Sequence, residues 1–274
     1  MQFWQAPWYA ALQPAIGQIG VLACKDRWSD CLVLLNREAH ALGLRNANGL
    51  PLSFVNSAVL PEVVYEQHIW QTGQVPTRLD RSGAWHDLFN ALTWLAFGRS
   101  KARLNALQAA QIDADGIGAQ RGGLRDAATL FDENAALFVT SEASLADALR
   151  AFDWQELFVR RRAEFVRNVQ VVAFGHALVD KLRQPFKSIC AHAWVLPVPG
   201  PMLDRFQCGQ SPAQLPLRAQ LDEALADSLT DQGLRSNAFS PLPVLGIPGW
   251  WAANADPDFY DDVTVFRPGR RGSG

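Results

Sequence analysis

The sequence predicts an α+β fold: a mostly helical body around a small mixed or antiparallel sheet, with an irregular C-terminal segment wrapping the body. Three observations carry this. Several segments space apolar residues three and four positions apart, as helices with one buried face do. Short runs rich in β-branched and aromatic residues lie between turn signals, as strands do. Beyond Pro241 neither period continues, and Gly-Pro turns alternate with aromatic residues. Helices that outnumber strands without regular alternation favour α+β over a doubly wound sheet.

Residues 1–27 read as an aromatic arm that packs onto the body. From Trp28, the spacing of Leu32, Leu35, Ala39 and Leu42 predicts a helix that stops at Gly43. Residues 52–55 read as a strand. Pro61 suits a first helical turn, and Val64 and Ile69 carry that helix to Gly73. Residues 74–83 read as a loop in which Pro76 pushes Val75 towards an extended conformation. Two strong helices follow, 85–97 and 100–112, parted at Gly98. After the glycine-rich stretch 113–123, residues 128–131 and 136–140 flank Asp132, Glu133, Asn134 and Ala135, which reads as a β-hairpin. Further helices are predicted over 144–150, 154–162 and 175–183, and strands over 169–172 and 190–195. A Pro-rich turn at 197–201 leads to an acidic helix over 217–228. The tail is expected to bury Trp250, Phe259 and Phe266 as a clamp. The expectation is one domain over 1–274: arm 1–27, body 28–240, extended segment 241–274.

Composition excludes extremes. Lys and Arg number 25 against 27 Asp and Glu, so the clustered excess cation of a polybasic nucleic-acid binder is missing. A chain with 49% hydrophobic residues is not an intrinsically disordered one. Cys24, Cys31, Cys190 and Cys208 contain no CxxC pair, which argues against a zinc ribbon and for reduced thiols. The apolar run 15–24 is too short to cross a bilayer, and the start lacks the cationic region of a signal peptide. A cytoplasmic location without membrane partners is therefore expected. P-loop, GxGxxG, GxSxG and HExxH motifs are absent from the sequence.

Polar chemistry concentrates on residues 85–94. At roughly 100° per residue, with His86 at 0°, Asn90 falls near 40°, Trp94 near 80° and Asp87 near 100°. Leu88, Leu92 and Leu95 occupy the other side. Two readings compete. His86 and Asn90 satisfy neighbouring backbone groups while Asp87 favours the helix dipole, or His86 and Asp87 are metal ligands or an acid–base pair that Asn90 orients. A second cluster holds Arg125, Asp126, Asp132, Glu133 and Asn134; Arg125 and Asp126 read as a structural ion pair, and Asp132, Glu133 and Asn134 either serve as ordinary hairpin-tip residues or supply carboxylates, Asp132 first, that complete an oxygen-rich metal site with Asp87. The third is His176. Gly175 before it suggests close approach of another backbone, and the imidazole serves as ligand, general base or core histidine. Lys101 and Arg125 would hold an anion, whereas Arg160, Arg161, Arg162 and Arg167 read as a solvated helix face.

The segments WHDLFNALTWLAFGRSKARLN, RDAATLFDEN, FGHAL and GIPGWW, with FYDD and VFRP beyond, resemble a proteobacterial family catalogued as domain of unknown function 3025. The resemblance runs from about Tyr65 to Arg267. It implies one unit in a bacterial cytoplasm and brings no activity, cofactor or catalytic residue. From the residues themselves, the expected function is metal-assisted hydrolysis of a small anionic or phosphorylated substrate. His86, Asp87, Asn90 and His176 would form the catalytic group, and a divalent metal would sit on His86, Asp87 and Asp132. The alternative is a non-catalytic ligand- or protein-binding protein whose His-Asp-Asn helix is a structural hydrogen-bond network.

Overall fold

A computed structural model of the chain describes residues 2–80, 84–116, 122–207 and 214–269. The expected glycine-rich loop lies largely outside those residues, as does Cys208. The arm is more regular than its composition suggests. Short 3-10 turns lead into α1 (Ala15–Ala23), which packs against α2 (Trp28–Ala41). Trp4, Trp8, Tyr9 and Leu12 are buried, and the Tyr9 hydroxyl donates to the carbonyl of Val179 at 3.2 Å.

A small parallel sheet follows. Strands β1 (Ser53–Asn56) and β2 (Gln74–Thr77) are joined by the crossover helix α3 (Tyr65–Thr72). The expected loop at 74–83 thus begins as a strand. Pro76 is compatible with it because a two-stranded sheet leaves each strand with a free edge. The helix predicted from Pro61 starts only at Tyr65. It ends where expected, at Gly73, whose φ of 73° a side chain would oppose.

The polar helix α4 (Ala84–Ala96) and the next, α5 (Gly98–Asp115), meet at Gly98 as expected. Residues 128–134 are not a hairpin arm and tip but the end of α6 (Gly123–Asn134), which runs directly into β3 (Ala135–Thr140). Ala127, Ala128 and Phe131 are buried at helical spacing, and four alternating residues are too few to distinguish a strand from that pattern.

After α7 (Ala143–Arg150), the helix predicted over 154–162 is a π-type turn at 156–160 followed by α8 (Arg162–Asn168). Then come β4 (Val169–Ala173), α9 (His176–Lys181) and β5 (Cys190–Pro197). The Pro-rich turn carries a helix, α10 (Gly200–Gln207), with Pro201 in the first turn where its missing N–H costs nothing. Helix α11 (Gln214–Ser228) includes the predicted acidic segment.

The tail contributes β6 (Ser240–Pro243), where no strand was expected, and is otherwise built of 3-10 turns. The main sheet is mixed, in the order β4-β3-β5-β6, with β3 antiparallel to β4 and parallel to β5. Every residue of β3 is buried, which explains its apolar run AALFV, closed by Thr140.

One hydrophobic cluster reaches from Trp4 through α4 and β3 to Phe266. Phe266 is buried, whereas Trp250 and Phe259 are only partly so. Asn254, 1% exposed, pins the tail by donating to the carbonyls of Leu245 (2.9 Å) and Ile247 (2.7 Å). Arg162 holds the same segment, donating to Asn254 and to the Tyr260 hydroxyl. Arg160 pairs with Glu156 and Asp153, and Arg161 with Glu164. The arginine run is therefore engaged within the protein. Among the described residues, no helix is long and apolar enough to cross a membrane.

Candidate metal centre

Three helices deliver the site. Helix α4 buries Leu88, Leu92 and Leu95 and turns His86 towards His176 of α9 and Glu133 of α6, while Asn90, one helical turn on, faces Tyr65 of α3 and Lys101 of α5. The last turn of α6 brings Asp132 and Glu133. The first residue of α9 is His176, and its position is fixed by the glycine before it. A Cβ at Gly175 would lie 2.4 Å from the Asn134 nitrogen, 2.5 Å from the Glu133 oxygen and 2.6 Å from the Ala135 nitrogen. The expected close approach of a backbone is that of α6. Gly175 also donates its N–H to Ala135 at 2.8 Å, so α9 begins pressed against Glu133.

The ligand atoms of His86, Glu133 and His176 lie within 4.8 Å of one another. The two Nε2 atoms are 3.1 Å apart, and Glu133 Oε2 is 3.5 Å from His176 Nε2 and 4.0 Å from His86 Nε2. Ligands of a tetrahedral ion with bonds of about 2.0–2.1 Å stand roughly 3.3–3.4 Å apart. The observed separations bracket that value. The group opens on a cleft of about 190 Å³ lined also by Tyr65, Glu66, Pro76, Asp87, Asn90, Gln108, Thr129 and Asp132.

A family model described as a protein of unknown function (DUF3025) matches residues 52–270. The chain belongs to this family. The matched span contains every residue that lines the cleft of this DUF3025 protein, while α1, α2 and the arm precede it. No curated protein and no solved structure matches the chain significantly.

The DUF3025 cleft distributes its polar groups differently from the sequence expectation. Asp87 lines the cleft but stands outside the ligand cluster; its Oδ2 accepts the backbone N–H of Arg78 at 2.5 Å, and burial raises its pKa. Asn90 is a bridge, donating to the Tyr65 hydroxyl (2.7 Å) and accepting from Lys101 Nζ (2.7 Å). Lys101, 3% exposed, is engaged by Asp132 and does not present its charge to the cleft. Arg125 sits on α6 two turns before Asp132, does not line the cleft, and forms no ion pair with Asp126 among the described residues.

The group that could hold an ion thus includes Glu133, where the sequence reading put Asp87 and Asp132. In sequence, Asp-Glu-Asn is equally at home at a hairpin tip, which gives Glu133 no distinction from its neighbours. Read as a helix, Thr129 and Glu133 fall on one face, and that spacing was the available signal. Tyr65, Glu66 and Gln108 carry no comparable mark in the sequence.

Burial lowers the His176 pKa to about 4, against the pull of Asp132, so the ring is neutral at pH 7. Its contacts with the carboxylates are accordingly not ion pairs, and a neutral imidazole is the form that ligates metal. Burial also acts to raise Asp132, but Lys101 and His176 outweigh it and hold the carboxyl below its usual range. Glu133 is raised, chiefly by burial. Tyr65 is pushed well above the usual phenol range by burial and stays protonated.

Proposed function

We propose that this DUF3025 protein binds one divalent ion through His86, His176 and Glu133 and uses it to hydrolyse a small substrate. The observation that carries the reading is the convergence of two imidazole nitrogens and a carboxylate at a solvent-reachable cleft. Two histidines and a glutamate leave a coordination position open, as catalytic zinc sites do. A bound ion lowers the pKa of its water to about 7 and polarises the electrophile.

Asp87 and Glu66 are the cleft carboxylates available to take a proton from that water. Tyr65 accepts from Asn90, so its own O–H is available to donate to an oxyanion. Because Lys101 is engaged by Asp132, an anionic or phosphorylated substrate would be held mainly by the ion itself.

The test is metal analysis of protein purified without chelator, followed by hydrolysis assays on phosphoester, carboxylic ester and amide panels. We expect about one ion per chain, lost in His176→Ala and Glu133→Gln. Substoichiometric metal that does not change in these variants would sink the reading.

A second reading has one specific observation behind it. Tyr65, Asn90, Lys101 and Asp132 are linked to one another in an unbroken chain of hydrogen bonds. A non-catalytic binding protein with a structural polar network predicts that Asn90→Ala and Lys101→Met lower the melting temperature while metal content stays near zero throughout.

A further inference from the structure

Lys101 and Asp132 stand behind the ligand cluster, not in it. The Lys101 ammonium is held between Asp132 Oδ1 and the Asn90 carboxamide oxygen. The other Asp132 oxygen, Oδ2, lies 3.8 Å from Nδ1 of His176. That Nδ1 is buried and accepts or donates no hydrogen bond of good geometry, while the backbone carbonyl of Asp132 lies on the same side and also favours a proton there. At 3.8 Å the contact is longer than a hydrogen bond, so Asp132 acts on it by charge. A carboxylate facing one ring nitrogen favours the proton on that nitrogen and leaves the other as a lone pair.

The opposite nitrogen, Nε2, is the one that faces the ligand cluster. It lies 3.1 Å from His86 Nε2, and two ring nitrogens at that distance need one donor and one acceptor. Glu133 is the rival for a proton on His176 Nε2, at 3.5 Å, but its side chain is 40% exposed and shared with His86. Asp132 is 20% exposed and fixed by Lys101.

We infer that the buried Lys101–Asp132 pair presets His176 as the Nδ1–H tautomer, presenting its Nε2 lone pair to the cluster before any ion arrives. His86 is then the donor of the 3.1 Å contact, with its proton on Nε2. The two histidines are unequal: His176 is a preformed ligand and His86 an adaptive one. To ligate through Nε2, His86 would have to give up the proton on that nitrogen. Lys101 and Asp132 are positioning residues, and this consequence for metal binding rests on the reading proposed above. The tautomer itself does not.

The experiment reads the tautomer directly, by long-range proton–nitrogen correlation on the metal-free, nitrogen-15-labelled full chain. His176 is assigned through His176→Gln. Wild-type protein at neutral pH is expected to show a protonated Nδ1 and an unprotonated Nε2 on His176, with the reverse on His86. In Asp132→Asn, which removes the charge facing Nδ1, the His176 preference falls to a mixture of tautomers. Should that variant fail to fold, Lys101→Met/Asp132→Leu removes both charges together and avoids a lone buried ion.

Zinc titration against a chromophoric competitor is expected to show affinity about 10–100-fold weaker in the variant. A wild-type His176 protonated on Nε2, or a tautomer unchanged in both variants, overturns the inference. A preset tautomer lost in the variants, in a chain that binds no zinc, upholds the positioning role and removes the metal reading instead.

Discussion

Gly175 and Glu133 are the residues on which the cleft depends most directly. A methyl group at Gly175 would meet three backbone atoms of residues 133–135, none of which can rotate away. Gly175→Ala is therefore expected to destabilise the protein by about 3 kcal/mol, the upper range for overpacking. It should also displace His176 from Glu133. Urea denaturation and zinc titration on the same variant check both effects. Glu133→Gln keeps the shape and removes the anion. It should leave stability nearly unchanged and weaken zinc by more than the roughly 10–100-fold that outer partners contribute. His86 and His176 were visible in the sequence because a histidine on an apolar helix, or after a glycine, stands out. Glu133 was hidden by its neighbours, since Asp-Glu-Asn is as much at home at a hairpin tip as at the end of a helix.

Two elements show how distant segments complete one another. Helix α5 begins at Gly98 without a side-chain cap of its own. Asp222, from α11, supplies one: it accepts the N–H of Arg99 at 2.9 Å and of Ser100 at 2.8 Å, and the Ser100 hydroxyl at 2.6 Å. Asp222→Ala should cost about 1–3 kcal/mol, read from the denaturation midpoint, by leaving buried donors at a helix N-terminus. No local pattern could reveal a cap 122 residues away. The tail offers the pH-dependent case. Hydrogen bonds from Thr264 and Lys187 hold the Asp262 carboxyl down at about 2. A carboxyl depressed in the folded state stabilises it above the unfolded pKa, near 4, and loses that contribution as pH falls towards 2. Carbon-detected titration should place the Asp262 midpoint near 2, moving back towards the ordinary range in Lys187→Met.

Across the molecule, the α+β class was legible because its evidence is distributed over many helical periods. What escaped was pairing. Strand β2 is short, contains Pro76, and exists through its partner β1; β6 has prolines at 241 and 243, on either side of Leu242, and joins the sheet through β5. The same holds for α5, whose Ser100, Lys101, Asn105 and Gln108 are all buried, an arrangement that makes sense only beside α3, α6 and α11. The hydrophobic cluster that joins arm, body and tail leads us to propose a single cooperative unit. Tryptophan fluorescence and far-ultraviolet circular dichroism should then report coincident unfolding transitions, and separated midpoints would divide the chain instead.

The carbonyl of Ala135 receives two amide protons, from Phe174 at 3.1 Å and Gly175 at 2.8 Å, just where β3 leaves α6 and α9 begins. That shared acceptor makes the ligand cluster inseparable from the centre of the sheet. His176 cannot leave Glu133 by local fraying, because the first break needed is at the edge of the most buried strand. In hydrogen-exchange terms, the Phe174 and Gly175 amides should exchange only by global opening, as slowly as those of β3, even though the next residue, His176, lines the cleft.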